Sequence, residues 1–187
     1  GHGGVGYERS FGYEDFFTIN VQAPMYSKNT SCYIRIPFEV ADDDLQKTSS
    51  LSLSVRYDDG FVAYLNGAEV ARANFTGGPA WNSKASASHP DGEAEILQMF
   101  SISEHIDKLK TGSNLLAIHG LNESTTSTDF LISVELTAGT DDTGNGGTPG
   151  NPPPAAVRYT DPLTLNASVQ VKARVLSGAV WSALHEV

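Results

Sequence analysis

Eight short runs of alternating apolar and polar residues occupy most of the first 138 positions: "FFTINV", "CYIRIPFEV", "SLSLSVRY", "FVAYLNG", "AEVARAN", "EILQMFSI", "NLLAIHGLN" and "DFLISVELT". A period of two sends successive side chains to opposite faces of a strand, so each run has one face to bury and one to show to water. Eight such strands separated by turn-forming residues predict an all-β fold, an antiparallel jelly-roll β-sandwich. One stretch departs from the pattern. In "SISEHIDKLKTG", Ile106 and Leu109 repeat at helical spacing, Ser103 is placed to cap, Lys108 and Lys110 suit a helix end, and Gly112 stops it. One short helix is therefore expected there.

The alternation gives way at "TAGTDDTGNGGTPGNPPPAA", Thr137 to Ala156, where glycine, proline, threonine and asparagine take over. This divides the chain into a sandwich over residues 1–138, a Gly/Pro-rich linker over 139–156 and a small C-terminal β appendage over 157–187. The appendage offers two or three strands in "LTLNASVQVKARVL" and "AVWSALHEV", too few to stand alone. It is expected to dock on the main domain, with Trp181 in the docked core. The opening "GHGG" reads as a cloning remnant running into a flexible lead.

Acidic residues outnumber basic ones by 22 to 12, for a net charge of −10. Such a field repels phosphate backbones and anionic membrane surfaces, which argues against nucleic acid as a partner. No apolar run approaches the roughly 20 residues of a membrane-spanning helix, so no membrane insertion is expected. Cys32 is the only cysteine, which rules out an internal disulfide and a thiolate metal cluster; in "SCYIRIPFEV" it reads as a small core residue. The histidines, at positions 2, 89, 105, 119 and 185, form no HxH or HxxxH pair, and no GxSxG motif is present. Catalysis is not expected.

The stretch "VRYDDGFVAYLNGAEVARAN", Val55 to Asn74, contains two turn signals. A two-residue turn at Asp59-Gly60 would put Glu69 on the buried face, at the cost of an unpaired charge. A three-residue turn, Asp58-Asp59-Gly60, pairs Tyr57 with Phe61, Val55 with Ala63 and Leu53 with Leu65. The Asn66-Gly67 turn then pairs Leu65 with Ala68 and Ala63 with Val70, and Glu69 falls beside Tyr64 on the outer face. In this register Asp58 and Asp59 are turn residues at one end of the sandwich. Adjacent residues there point apart, which disfavours a catalytic acid pair, while their carboxylates suit a structural Ca2+ site.

The phrase "YDDGFVAYLNGAEVARAN" resembles the strand-turn-strand core of galactose-binding-like jelly-roll modules. The longer series "GVGYERSFGYEDFF", "MYSKNTSCYIRIPFEV", "WNSKASASHPDGEA" and "NLLAIHGLNESTTSTDFLISVEL" is similar to a module of very large secreted bacterial proteins that also carry lamin-tail and spore-coat-kinase-like domains. The tail "RYTDPLTLNASVQVKARVLSGAVWSALHEV" resembles the second half of the fibronectin-III-like C-terminal domain of chitobiase-type proteins. These resemblances imply an extracellular accessory module, its partners a polysaccharide or oligosaccharide and the other domains of its parent protein.

Sugar recognition asks for an aromatic face against the apolar side of a pyranose and planar polar groups for its hydroxyls. The loop "FTGGPAWNSKASASHPDGE", Phe75 to Glu93, carries Trp81, Asn82, His89 and Asp91. Long loops on a rigid sandwich are where binding residues gather, although Trp81 also suits a fold back over one end of the core. Arg56 and Tyr64, on the outer face of the expected hairpin, form a second platform. His119, in "LLAIHGLN", falls on the face opposite the leucine run, as a ligand contact or as a structural, hydrogen-bonded histidine. The expected function is a non-catalytic carbohydrate-binding module of a secreted polysaccharide-active or cell-surface protein. The alternative is a structural or adhesive spacer that binds protein partners or no ligand. A polysaccharide lyase is disfavoured, because a cleft for an anionic polymer needs more lysine and arginine than this chain holds.

Overall fold

The computed structural model describes residues 3–140 and, in the C-terminal part, four two-residue strands. The chain forms two compact units, Gly1–Asp141 and Asp142–Val187. In the first, nine strands make two sheets. Strands β2 (Phe17–Asn20), β1 (Gly4–Glu8), β9 (Asp129–Thr140), β4 (Thr48–Asp58) and β7 (Gln98–Ser101) lie in that order in one. Strands β3 (Ser31–Val40), β8 (Gly112–Leu121), β5 (Gly60–Leu65) and β6 (Ala68–Ala73) form the other. Neighbours are antiparallel except β1 and β2. The eight alternating runs are β2 to β9, and the all-β sandwich is as the alternation predicts.

In the second unit β10 (Lys172–Ala173) pairs with β13 (His185–Glu186), and β11 (Leu176–Ser177) with β12 (Val180–Trp181). The expected linker beyond residue 140, and the docking of the appendage through Trp181, lie outside the described residues.

The inner faces follow from the alternation. Leu51, Leu53, Val55 and Tyr57 of β4, with Tyr7, Phe130 and Ile132, face Phe61, Ala63 and Leu65 of β5, with Leu116 and Ile118. Phe61 sits at the centre, edge-on to Tyr57 at 5.1 Å and to Phe100 at 5.3 Å. Cys32 packs against this core, and burial pushes its thiol up to about 11, which leaves it protonated and inert.

Four expectations are corrected. The Asp58-Asp59-Gly60 turn does not close a hairpin, because β4 already lies between β9 and β7, and β5 between β8 and β6. The chain crosses there from one sheet to the other, so Tyr57 and Phe61 meet across the sandwich and do not pair along a ladder. At the Asn66-Gly67 turn both residues have positive φ, 51° and 89°, as a type I′ hairpin requires, and Leu65 does pair with Ala68. A bulge then shifts the register, so Ala63 pairs with Ala71 and Val70 is the extra residue. Ser103 does not cap a helix: residues Ser103–Lys108 form a 3-10 turn, η1, and the Ser103 hydroxyl accepts the Leu51 N–H at 3.0 Å. Three further short helices, α1 (Gln22–Met25), α2 (Asp42–Lys47) and α3 (Asp91–Ala94), were not signalled by the sequence. Finally, from Gly4 onward the expected flexible lead is β1, a buried strand between β2 and β9, while Gly1 and His2 lie outside the described residues. Among the described residues no helix is long and apolar enough to cross a membrane.

Candidate functional site

The outer face of the four-stranded sheet carries two rows of side chains. Tyr33, His119, Val62 and Arg72 lie in register across β3, β8, β5 and β6, followed by Arg35, Ala117, Tyr64 and Glu69. The loop of residues 74–90 folds back over one end of this face. It is fastened where the Thr30 and Ser31 hydroxyls donate to the Ser83 carbonyl at 2.9 and 2.7 Å, and where Ala85 packs on Val62 and Leu121. The same loop lifts Trp81 into solvent, 76% exposed. Tyr33, 51% exposed, donates its hydroxyl to the Ala80 carbonyl beside that tryptophan at 3.3 Å. Trp81, Tyr33 and the half-buried Tyr64 thus share one surface with the exposed Arg35. Glu69 is held by Arg72 through two parallel hydrogen bonds, which keep its carboxyl below the usual range. The third Arg72 nitrogen, Nη1, donates to the Gly77 carbonyl at 2.8 Å and ties the loop to β6.

His119 lies beneath this surface, 2% exposed. Its ring stacks on Tyr33 at 4.3 Å and its Nε2 meets Ser31 Oγ at 2.8 Å. The structural alternative describes it, and it acts by supporting Tyr33. Desolvation pulls its pKa below the ordinary 6.5. A depressed folded pKa means that the unfolded chain binds the proton first. The contribution of neutral His119 to stability is therefore complete above about pH 6.5 and is lost as the pH falls towards the folded pKa. Denaturation at pH 7 and pH 5 should show a smaller acid-induced loss in His119→Gln than in the wild type; equal losses would contradict this.

The remaining candidates sit on the other sheet or at its end. Arg56 points from the outer face of β4, where its Nε donates to the Glu95 carbonyl at 2.8 Å and its guanidinium lies 4.9 Å over Phe16. The platform expected from Arg56 with Tyr64 is therefore corrected, because their strands belong to different sheets whose outer faces look opposite ways. Asn82 is exposed beside Trp81. His89 is stacked flat on Tyr57 at 4.4 Å, and its Nδ1 meets the Tyr57 carbonyl at 2.8 Å. Since that carbonyl can only accept, Nδ1 carries the proton.

Asp58 and Asp59, expected as turn residues at one end of the sandwich, are buried at 1% and 3% exposure. Asp59 accepts at both oxygens: Oδ1 from the His89 N–H at 2.8 Å and Oδ2 from the Glu123 N–H at 2.7 Å. Asp59 is not part of the group of carboxylates that converges with Asp58. Asp58 lies under a cover made by Tyr13, Phe16 and Ala94 over Leu131. Its Oδ2 accepts the Tyr13 hydroxyl at 2.6 Å. Burial, and then the charge of Asp59, push its pKa up to about 9. The carboxylates that do converge with it are those of Asp91, at the start of α3, and Asp129, at the start of β9.

Tyr33 and Arg35 were missed although the signal was present, since alternation along β3 places them opposite Ile34 and Ile36. Tyr13 and Asp129 carried no sequence signal, because only the folded cover brings them to Asp58.

No protein-family model and no curated protein matches the sequence. Parts of solved glycosidases are similar to it. A β-D-mannosidase from Dictyoglomus thermophilum aligns at 21% identity and TM-score 0.33, over 50% of this chain and 9% of that one. An α-L-rhamnosidase from Streptomyces avermitilis aligns at 18% and 0.39, over 60% and 9%, and one from Aspergillus terreus at 15% and 0.37, over 60% and 13%. The alignments thus involve only about a tenth of each of those chains.

Proposed function

We propose that the sandwich is a non-catalytic carbohydrate-binding module of a secreted protein. The observation that carries this reading is Trp81, held out into solvent beside Tyr33 on a face that also presents Tyr64 and Arg35. Large aromatic side chains exposed together on a rigid sheet leave apolar area uncovered, and a pyranose ring can cover it while its hydroxyls take Arg35 and loop groups such as Asn82.

A panel of neutral and acidic polysaccharides tests this by affinity electrophoresis and calorimetry. Wild type should bind at least one glycan, and Trp81→Ala and Tyr33→Ala should each weaken that binding about tenfold or more, the equivalent of about 1.4 kcal/mol. Both residues are exposed, so the variants should melt near wild type. A glycan bound equally well by both variants would place its site elsewhere.

Absence of binding across the panel would favour the spacer alternative, for which a different observation speaks. Among the described residues β9 has no neighbour on its β1 side beyond Ile132. An apolar cleft of 580 Å³ opens there, lined by Ile34, Ile36, Phe38, Val134 and Leu136. A partner polypeptide with apolar residues at alternate positions fits such an edge as an added strand.

A further inference from the structure

The outer face of the five-stranded sheet ends in an acidic cluster independent of the aromatic surface. Asp58 of β4 and Asp129 of β9 are buried, and Asp91 at the start of α3 closes over them from the solvent side. One carboxylate oxygen of each lies within 4.8 Å of the other two. Among the described residues none of the three forms a salt bridge with a lysine, arginine or histidine. Hydroxyls provide part of what they need: Tyr13 donates to Asp58 Oδ2 at 2.6 Å and Ser127 to Asp129 Oδ1 at 3.1 Å. Asp58 Oδ1, fully buried, has no donor at all. A buried carboxyl oxygen without a partner is costly, and the cost of ionising three acidic groups this close falls when a positive ion sits among them. One positive ion would relieve both penalties.

We propose that Asp58, Asp91 and Asp129 together bind one divalent cation, and that the cation is calcium. The ligands are all carboxylate oxygens, which select hard ions over zinc or copper. Oxygens within 4.8 Å of one another can surround a Ca2+ ion at its usual distance of about 2.3–2.6 Å, and calcium accepts an irregular set of protein carboxylates more readily than Mg2+, which demands near-octahedral geometry and keeps its waters. Backbone carbonyls and water complete the six to eight oxygens calcium takes. Asp59 is left out because its carboxylate is not part of the converging group. The ion would link β4, β9 and α3, which strengthens the seat of the loop that carries Trp81.

Terbium is the probe for the test, because the Tyr13 ring, bonded to Asp58, stands close enough to sensitise its luminescence. The full chain, stripped with chelator and held at moderate salt, should give a saturable tyrosine-excited terbium signal that calcium displaces, and calcium alone should raise its melting temperature. Asp91→Ala, an exposed site whose loss leaves the fold intact, should bind terbium more than about tenfold more weakly and lose the calcium-induced rise in melting temperature. Asp107→Ala, an exposed acid on η1, should retain both responses. No saturable signal in the wild type, or an equal signal in Asp91→Ala, would overturn the site. Displacement by magnesium as readily as by calcium would overturn the choice of ion.

Discussion

Replacing Asp59 by alanine is expected to lower folding stability by about 3–5 kcal/mol, a large loss for a change of one small side chain in a loop. The residue stands where the chain crosses between sheets and joins three segments. Its N–H donates to the Leu121 carbonyl at the end of β8, and its own carbonyl accepts the Asn74 amide at 2.9 Å. Its carboxylate accepts from His89 in the long loop and from Glu123 in the β8–β9 connection. Hydrogen bonds to a charged acceptor contribute about 1.5–3 kcal/mol each, and alanine would leave both N–H groups facing a void. Asparagine keeps one acceptor but turns an amide N–H2 towards the second donor, so Asp59→Asn should fall between, at about 2 kcal/mol. Urea denaturation of the three proteins checks the order. A loss in the alanine variant of less than about 1 kcal/mol would mean that water replaces the carboxylate, and that Asp59 is not the brace described.

The same residue shows where sequence reading reaches its limit. Alternation along β4 and β5 correctly names the inward residues, from Leu51 to Tyr57 and from Phe61 to Leu65, because inwardness depends on the period of two alone. It cannot tell a hairpin from a crossing between sheets, since both keep Tyr57 and Phe61 pointing at the core. What decides between them is the presence of other neighbours, β9 and β7 on one side and β8 and β6 on the other, far away in the chain. The Arg56–Tyr64 platform failed with the hairpin. The Asn66-Gly67 turn was legible because its chemistry is local: two residues at positive φ need asparagine and glycine. Trp81 was legible as a candidate, and its exposure follows from a loop fastened by Thr30, Ser31 and Arg72, contacts that no local pattern announces.

Strand β1 was hidden for a reason that yields the second prediction. "GVGYE" has too many glycines to score as a strand, since glycine is ordinarily depleted there. Here the glycines are what let the strand approach its neighbours. A Cβ on Gly6 would stand 2.5 Å from the Phe130 carbonyl oxygen and 2.9 Å from the Phe17 ring, and the first of these is backbone that cannot turn aside. Gly6→Ala should therefore push β1 off β9, unseat the fully buried Tyr7 and cost about 3 kcal/mol or more. Gly67→Ala meets nothing within 4 Å but sits at φ 89°, so its cost of about 1 kcal/mol is conformational only. Gly78→Ala has open space and no such φ, and should change stability by less than about 0.5 kcal/mol. Denaturation midpoints should follow that order, and hydrogen exchange in Gly6→Ala should rise first at residues 129–132, where β9 faces β1. If Gly6→Ala were no worse than Gly67→Ala, the close approach of β1 would be wrong, and the sheet would end at β9.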